Sequence, residues 1–157
     1  MNKEIIFLLI QHQVLTQEQI KTIYKVYRDD EEILVFLTDY QNLSKAIIKS
    51  ILNTIYGDDI FYYARDITWH ILEKQKLDSN IIDNVIDNQY YSLDIFNHKL
   101  SYDQVDRLIW NAIYVNEEGD EAVYVADTWG VDFLEYIYNN LATPDQKEVI
   151  DKTGIFN

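Results

Sequence analysis

Residues 15–24 read LTQEQIKTIY, and this stretch decides the fold class. Leu15 stands before Thr16, whose hydroxyl suits the N-cap position of a helix, and the Gln three residues later completes a capping box. Apolar side chains then follow at spacings that place them on one face of an α-helix, at Ile20, Ile23 and Tyr24. The stretch therefore predicts an amphipathic helix capped by Thr16.

Three later stretches repeat this pattern, starting at Leu43, Leu77 and Leu100. Each Leu is followed by a Ser or an Asp in the N-cap position, and by apolar residues five, eight and nine positions later. An acidic joint and a second apolar stretch come after each predicted helix. These second stretches cover residues 33–37, 60–67, 90–96 and 123–129. The chain is therefore predicted to form helical hairpins whose starts lie 28, 34 and 23 residues apart.

The C-terminal part continues the helical pattern. Asp132 is a predicted N-cap for a helix over 133–141, and Thr143 followed by Pro144 predicts a last helix that ends at Gly154. Residues 122–126 read AVYVA and come after a turn signal, so a short strand is an alternative to a helix there. Both interpretations of this segment stay open.

The repeated order of Leu, polar cap, helix, acidic turn and second helix resembles the short HEAT-like repeats and the variant leucine-rich α-helical repeats. The resemblance covers residues 14–130, and it departs from those families in its uneven spacing and in lacking Pro at the repeat junctions. It implies a curved stack that presents an extended face to a partner. We expect an all-α fold of irregular helical-hairpin repeats, stacked into a short curved solenoid that forms one domain over residues 1–157.

The composition excludes several classes of protein. Four Gly and one Pro are too few for the many turns of an all-β fold, and the absence of Cys removes disulfides, thiolate zinc sites and cysteine nucleophiles. The apolar run at residues 5–10 is too short to cross a membrane. We interpret this run as a buried first helix, and we expect a cytoplasmic protein.

The charge indicates what kind of partner this chain can bind. Twenty-seven acidic residues against thirteen basic ones give a net charge of −14. Direct binding to nucleic acid or to an anionic membrane is disfavoured, because phosphate contacts need Lys and Arg. A basic protein surface is the natural partner. The alternative is that the acidity only keeps the protein soluble.

The acidic residues concentrate in the predicted joints between helices. One or two acids per joint would serve the positive end of a helix dipole, but the first and last joints hold four each, where like charges repel. In a stack the joints line up along one edge, so the acids would form a stripe that imitates the phosphates of a nucleic acid. The predicted partner-binding acids are Asp29, Asp30, Glu31, Glu32, Asp58, Asp59, Asp87, Glu117, Glu118, Asp120 and Glu121.

Aromatic residues supply a second candidate for partner binding. The chain has thirteen Tyr, and two adjacent pairs occur at 62–63 and 90–91, where one ring of each pair must point away from the core. Tyr is enriched in binding surfaces, so Tyr62 and Tyr91 are predicted partner contacts, although the rings can also be plain filler. The three Trp residues lie on apolar faces and are predicted to belong to the core: Trp69, Trp110 and Trp129.

Catalytic and metal-binding patterns are weak in this sequence. Asp66 and His70 lie four residues apart, so they can form either a base pair for catalysis, half a metal site or a local hydrogen bond. Residues 116–121 resemble a calcium loop superficially but lack its alternating ligands. No group of residues combines a nucleophile, a base and an orienting side chain. We predict a protein that is not an enzyme, without cofactor or metal.

Three functions in binding remain as hypotheses. The first is an inhibitor of a nucleic-acid-processing enzyme, because small acidic proteins without Cys are similar in character to phage anti-restriction and anti-CRISPR proteins. Such a protein would act in the host cytoplasm as a nucleic-acid mimic. The second is an immunity protein that neutralises a toxin, and the third is a helical-repeat scaffold in an assembly. The protein would act as a monomer or a homodimer.

Overall fold

The computed structural model describes residues 2–57, 64–115, 123–125 and 128–156. Within these ranges most of the chain is helical, which confirms the predicted helical class. The chain forms two compact units, Met1–His98 and Lys99–Asn157. The expectation of a single repeat domain over residues 1–157 stays a prediction.

The first unit contains six described α-helices and one 3₁₀ helix. They are α1 (Lys3–His12), α2 (Gln17–Tyr27), α3 (Glu31–Tyr40), α4 (Lys45–Gly57), α5 (Ala64–Lys74), α6 (Ser79–Asn88) and the 3₁₀ helix (Leu93–Asn97). The second helix of the third hairpin is thus shorter and tighter than the apolar stretch 90–96 indicates, and it begins after a break at Gln89, the left-handed C-cap of α6.

The N-caps predicted after the four Leu residues are confirmed at Thr16, Ser44, Asp78 and Ser101. Thr16 Oγ1 accepts a hydrogen bond from the amide of Gln19 at 3.2 Å, and Gln19 Oε1 accepts one from the amide of Thr16 at 2.9 Å. Ser101 and Gln104 form the same capping box at the start of α7 (Tyr102–Ala112). Each such cap stabilises its helix by about 1 kcal/mol.

Successive repeats of the first unit pack through equivalent helices. α1 takes the place of a second helix before the first repeat. The second helices pack in sequence order, since α3 contacts both α1 and α5, and α5 contacts the 3₁₀ helix. The first helices are linked as well: the hydroxyl of Tyr24 on α2 lies 3.0 Å from the carbonyl oxygen of Ser50 and 2.9 Å from Thr54 Oγ1 on α4. The β-branched residue five positions after each repeat's Leu is buried, at Ile20, Ile48 and Ile82.

Two buried glutamines, Gln41 and Gln75, each connect their own repeat to the preceding one. Gln41 Nε2 donates to the carbonyl oxygens of Ile10 and Gln13 at 2.5 and 2.8 Å, while its Oε1 accepts from the amide of Leu15 at 3.0 Å. Gln75 repeats this arrangement 34 residues later, with the carbonyls of Thr38 and Gln41 and the amide of Leu43. These bonds satisfy backbone groups at the ends of α1 and α3 that the helices themselves leave without partners.

The first helix is not buried as a whole. Ile6 and Ile10 of α1 are fully buried, but Ile5, Leu8 and Leu9 are exposed. The prediction of a buried first helix is therefore wrong for half of its apolar residues, because α3 covers only one side of it.

The second unit contains helices and one short antiparallel ladder. After α7 come β1 (Ile113–Val115), β2 (Val123–Val125), α8 (Thr128–Asn140) and α9 (Pro144–Asp151). Ile113 pairs with Val125 and Tyr114 pairs with Tyr124. The helical interpretation of 123–129 is thus wrong at 123–125, where β-branched and aromatic residues on both strands favour pairing.

The ends of the last two helices refine the prediction for the C-terminal part. The predicted N-cap at Asp132 is wrong, because α8 begins at Thr128 and Asp132 lies inside the helix. The predicted start at Thr143 and Pro144 is confirmed, since Thr143 forms a capping box with Gln146. Gly154 has a φ of 72°, a left-handed conformation typical of a glycine that follows a helix.

Candidate functional site

The strongest candidate site is an open groove of about 570 Å³ in the first unit, which we call the acidic groove. Three successive second helices build it: α1 contributes one residue, α3 four and α5 two. They are Phe7, Glu31, Glu32, Val35, Phe36, Asp66 and His70. Equivalent helices of the repeat therefore bring together residues that are up to 63 positions apart in the chain.

Aromatic rings form one side of the acidic groove. Phe7 and Phe36 meet edge to face, with ring centroids 4.6 Å apart and planes at 64°. Tyr40 continues the row, 5.2 Å from Phe36 and half-exposed. Such pairs stabilise the packing of α1 against α3 and leave ring faces and edges for a ligand.

Lys3 neutralises part of the first acidic joint from within the chain. Its Nζ lies 2.8 Å from Asp30 and 3.1 Å from Glu32. Hydrogen bonds to Asp30 and then to Glu32 raise the pKa of Lys3 above its usual value, so the ammonium form is favoured. The same Nζ lies 5.5 Å from the centre of the Phe7 ring. A lysine is thus held between two carboxylates and an aromatic face at one end of the groove.

Glu31 is in a different electrostatic position from its neighbours. Its pKa is raised above the usual value by partial burial first, and then by the negative charges of Asp66, Glu32 and Asp30. A raised pKa means that ionisation of Glu31 is less favourable in the folded protein than in the unfolded chain. A cation that entered the groove beside Glu31 and Asp66 would relieve this repulsion.

The predicted Asp66–His70 pair is corrected by the structure. His70 Nδ1 lies 2.8 Å from Asp39 Oδ1 on α3, so the histidine pairs with the preceding repeat and not with the acid four residues before it. Because a carboxylate only accepts, Nδ1 carries the hydrogen. Asp66 lines the same groove without this bond.

The other acids of the first joint and of the third do not line the acidic groove. Asp29 follows the end of α2 and pairs weakly with Arg28 at 3.8 Å, both side chains being exposed. Asp30 caps α3 by accepting from the amide of Ile33 at 3.2 Å. Asp87 lies inside the last turn of α6, so it is not equivalent to Asp29. Asp29, Asp58 and Asp87 lie 29 residues apart in the sequence, but Asp29 and Asp87 do not occupy one position of the repeat.

The predicted contact at Tyr91 is wrong, because its ring is 4% exposed and belongs to the core. The outward member of that pair is Tyr90, which is 40% exposed. Tyr90 stacks on Tyr56, with centroids 5.6 Å apart and planes at 19°. The hydroxyl of Tyr56 bonds Thr68 at 2.8 Å, and burial raises the pKa of Tyr56 well above its usual range.

Two of the three tryptophans are also placed differently from the prediction. Trp69 and Trp110 are exposed and not part of the core. The guanidinium of Arg65 lies 6.0 Å from the Trp69 ring, a distance at which a cation and a ring attract each other. The side chain of Trp129 lies outside the described residues.

Seven of the predicted partner-binding residues fall outside the part of the chain that the structure describes. They are Asp58, Asp59, Tyr62, Glu117, Glu118, Asp120 and Glu121. The predicted stripe along the joints consequently stays a prediction there. In the described ranges no group of three His, Asp or Glu side chains could hold a metal ion. None of the helices described is both long enough and apolar enough to span a bilayer.

The sequence contains one signal for the repeat that the spacing of the Leu residues does not show. A Gln or a His stands two residues before each Leu of the pattern, at Gln13, Gln41, Gln75 and His98. His98 Nε2 bonds the carbonyl oxygen of Leu72 at 2.7 Å, which is the place that Gln41 and Gln75 take in the earlier repeats.

No known protein family, curated protein or solved structure matches this chain. The resemblance to HEAT-like repeats therefore depends on this internal pattern.

Proposed function

We propose that this chain is a binding protein that docks on a basic protein surface through the acidic groove. The observation that carries the proposal is the convergence of Glu31, Glu32 and Asp66 around the aromatic side formed by Phe7 and Phe36. Carboxylates and rings together favour a lysine or an arginine, since the ring faces attract cations and the carboxylates accept their hydrogen bonds.

The position of Lys3 supports this mode of recognition. Within the chain an ammonium group already sits between two carboxylates and over a phenylalanine ring. A partner's cation would use the same combination further along the groove, between Glu31 and Asp66. Its charge would offset the repulsion that raises the pKa of Glu31. Arginine is enriched among the residues that dominate binding energy at interfaces, so it is the expected anchor.

The net charge of −14 supports a nucleic-acid-processing enzyme as the partner. Enzymes of this class carry a basic groove for phosphates, and a strongly acidic protein is attracted to it at long range. We propose that the chain occupies such a groove and inhibits the enzyme, as a short curved solenoid of HEAT-like repeats would allow. Neutralisation of a toxic nuclease would use the same surface.

The experiment that tests this function uses the purified protein as bait in a lysate. Captured proteins are eluted with rising salt, and the capture is repeated in the presence of duplex DNA. We expect a nucleic-acid-binding protein that is released by salt and displaced by DNA, since screening weakens exposed charge pairs. A partner that stays bound at high salt would contradict the electrostatic mode of binding.

Matched variants show which acids make the contact. The groove variant E31Q/E32Q/D66N removes three charges from the acidic groove. The control variant E73Q/D103N/E135Q removes three exposed charges that do not line it. Reversal of Glu117, Glu118, Asp120 and Glu121 to Lys tests the last joint. We expect the groove variant to lose the partner and the control to keep it. The groove assignment is wrong if the last joint alone abolishes capture.

A further inference from the structure

The outer face of α1, which carries the exposed Ile5 and Leu9, does not line the acidic groove. The glutamine bridges set the register between α1, α3 and α5, since Gln13, Gln41 and Gln75 occupy the same position at the end of each helix. Residues at equal distances before these glutamines can therefore be compared directly. The comparison shows which side chains of α1 are exposed at positions where α3 and α5 bury theirs.

Two apolar positions differ sharply between the repeats. Eight residues before each glutamine stand Ile5, Ile33 and Ile67, of which Ile33 and Ile67 are fully buried while Ile5 is 53% exposed. Four residues before stand Leu9, Leu37 and Ile71, of which the last two are fully buried while Leu9 is 39% exposed. In α3 and α5 these positions belong to the core. The outer face of α1 thus presents core positions to solvent.

The polar position of the same face is also open. Gln41 and Gln75 bind two carbonyls and one amide of the preceding repeat, whereas the side chain of Gln13 is exposed. A cavity of about 310 Å³ between α1 and α2 continues this face, with Leu9, Leu15 and Ile23 in its lining and Glu18 beside them.

The charges of the face indicate the sign of what binds there. Glu32 on α3 forms an ion pair with Lys3 on α1. Glu4 stands nine residues before Gln13 and Glu32 stands nine residues before Gln41, so the two acids occupy the same position of the register. Glu4 and Glu18 are both exposed. A helix that packs on α1 as α1 packs on α3 would therefore meet Glu4 with a basic residue in its first turn.

We propose that the outer face of α1 binds an amphipathic α-helix of a partner protein, which lies parallel to α1 and extends the stack. Its apolar stripe covers Ile5 and Leu9, a basic residue of its first turn pairs with Glu4, and its last carbonyls accept from Gln13. A second copy of α1 is a poorer occupant, because its last carbonyls, at Ile10 and Gln13, already accept from Gln41.

The probe for this proposal is a stapled, fluorescein-labelled peptide of residues 2–16, which carries Lys3 and the free end of α1. The staple is needed because a helix of this length is marginal in water. We measure its affinity for the full chain by fluorescence anisotropy. The expected result is saturable binding that I5S/L9S weakens at least ten-fold. The matched control V26S/L93S, which changes exposed apolar residues elsewhere in the first unit, is expected to bind within about two-fold of the wild type.

Two further variants separate a defined register from non-specific adhesion. Q13A is expected to lower the affinity for the peptide about five-fold, the effect of losing one net hydrogen bond. E4K is expected to weaken it as well, and a peptide with Lys3→Glu is expected to restore the affinity. The groove variant E31Q/E32Q/D66N is expected to bind the peptide normally, because the acidic groove is a different site.

Three results would overturn the proposal. The first is that the peptide does not bind, and the second is that I5S/L9S and the control bind it equally. The third comes from light scattering: if the wild type is a dimer and I5S/L9S is a monomer, the occupant of the face is a second copy of this chain.

Discussion

Gln75 Nε2 donates a hydrogen bond to the backbone carbonyl of Gln41 over 2.9 Å, and Gln41 Nε2 donates the equivalent bond to the backbone carbonyl of Gln13. Each binds backbone groups where the preceding helix has ended, so the repeats are fixed to each other by side chain and backbone together. The bridges make equivalent contacts although the repeat lengths are 28 and 34 residues. Part of the difference lies in the helices, since α4 has two residues more than α2 and α5 has one more than α3.

The first prediction concerns these bridges. Q75A removes three hydrogen bonds and leaves buried carbonyls and a buried amide without partners, so the free energy of unfolding should fall by about 3 kcal/mol. Urea denaturation measures it. The control is Q13A, the same substitution at the exposed position of the register, which should cost less than about 0.5 kcal/mol. Equal losses would show that Gln75 has no bridging role.

The second prediction compares apolar residues at one register position. I33A should destabilise the protein by about 3 kcal/mol, because it opens a cavity in the core, while I5A should cost less than about 1 kcal/mol. Thermal and urea unfolding of the two variants give the difference. A loss at Ile5 as large as that at Ile33 would mean that the outer face of α1 is covered in the free protein.

The third prediction concerns the only positive φ at a non-glycine residue in the described part of the chain. Gln89 ends α6 with a φ of 60°, a conformation that strains any side chain except glycine. Q89G should therefore raise the free energy of unfolding by about 1 kcal/mol, as measured in urea. Q89A keeps the strain and is the control. An unchanged or lower stability for Q89G would contradict the argument.

The fourth prediction follows from the raised pKa of Glu31. As the pH rises, the unfolded chain releases this proton first, at the usual pKa of 4.5. Above that pH the folded state binds more protons, and ionisation of Glu31 lowers the free energy of unfolding. E31Q removes the cost. Its stability relative to the wild type should therefore increase between about pH 4 and pH 7. A constant difference between E31Q and the wild type would refute the prediction.

The helical part of the fold could be predicted because its causes are local. A hydroxyl or carboxylate at the N-cap and apolar residues at helical spacing act within one turn or two, as at Thr16 and Ser101. Burial of the residue five positions after each Leu follows from the same spacing. The prediction failed where distant residues decide. β2 forms a strand because β1 supplies a pairing partner, whereas the local pattern around Val123 left a strand and a helix both open.

The candidate site was less predictable for the same reason. His70 pairs with Asp39, which lies 31 residues away, although Asp66 is closer in sequence. Tyr91 is buried and Tyr90 exposed because the break at Gln89 sets the direction of the chain, and the pair of letters alone does not order them. The bridging glutamines were visible as a residue two positions before each Leu, but their role needs the helix ends that they bind.

The affinity of the acidic groove for a cationic peptide tests the proposed mode of binding. A fluorescein-labelled peptide of alternating Arg and Gly is titrated with the wild type, with E31Q/E32Q/D66N and with E73Q/D103N/E135Q, at low and at moderate salt. The account predicts that the groove variant binds about ten-fold more weakly, which corresponds to about 1.4 kcal/mol, while the control stays within about two-fold of the wild type. Equal weakening in both variants would contradict it, because total charge and not the groove would then govern binding.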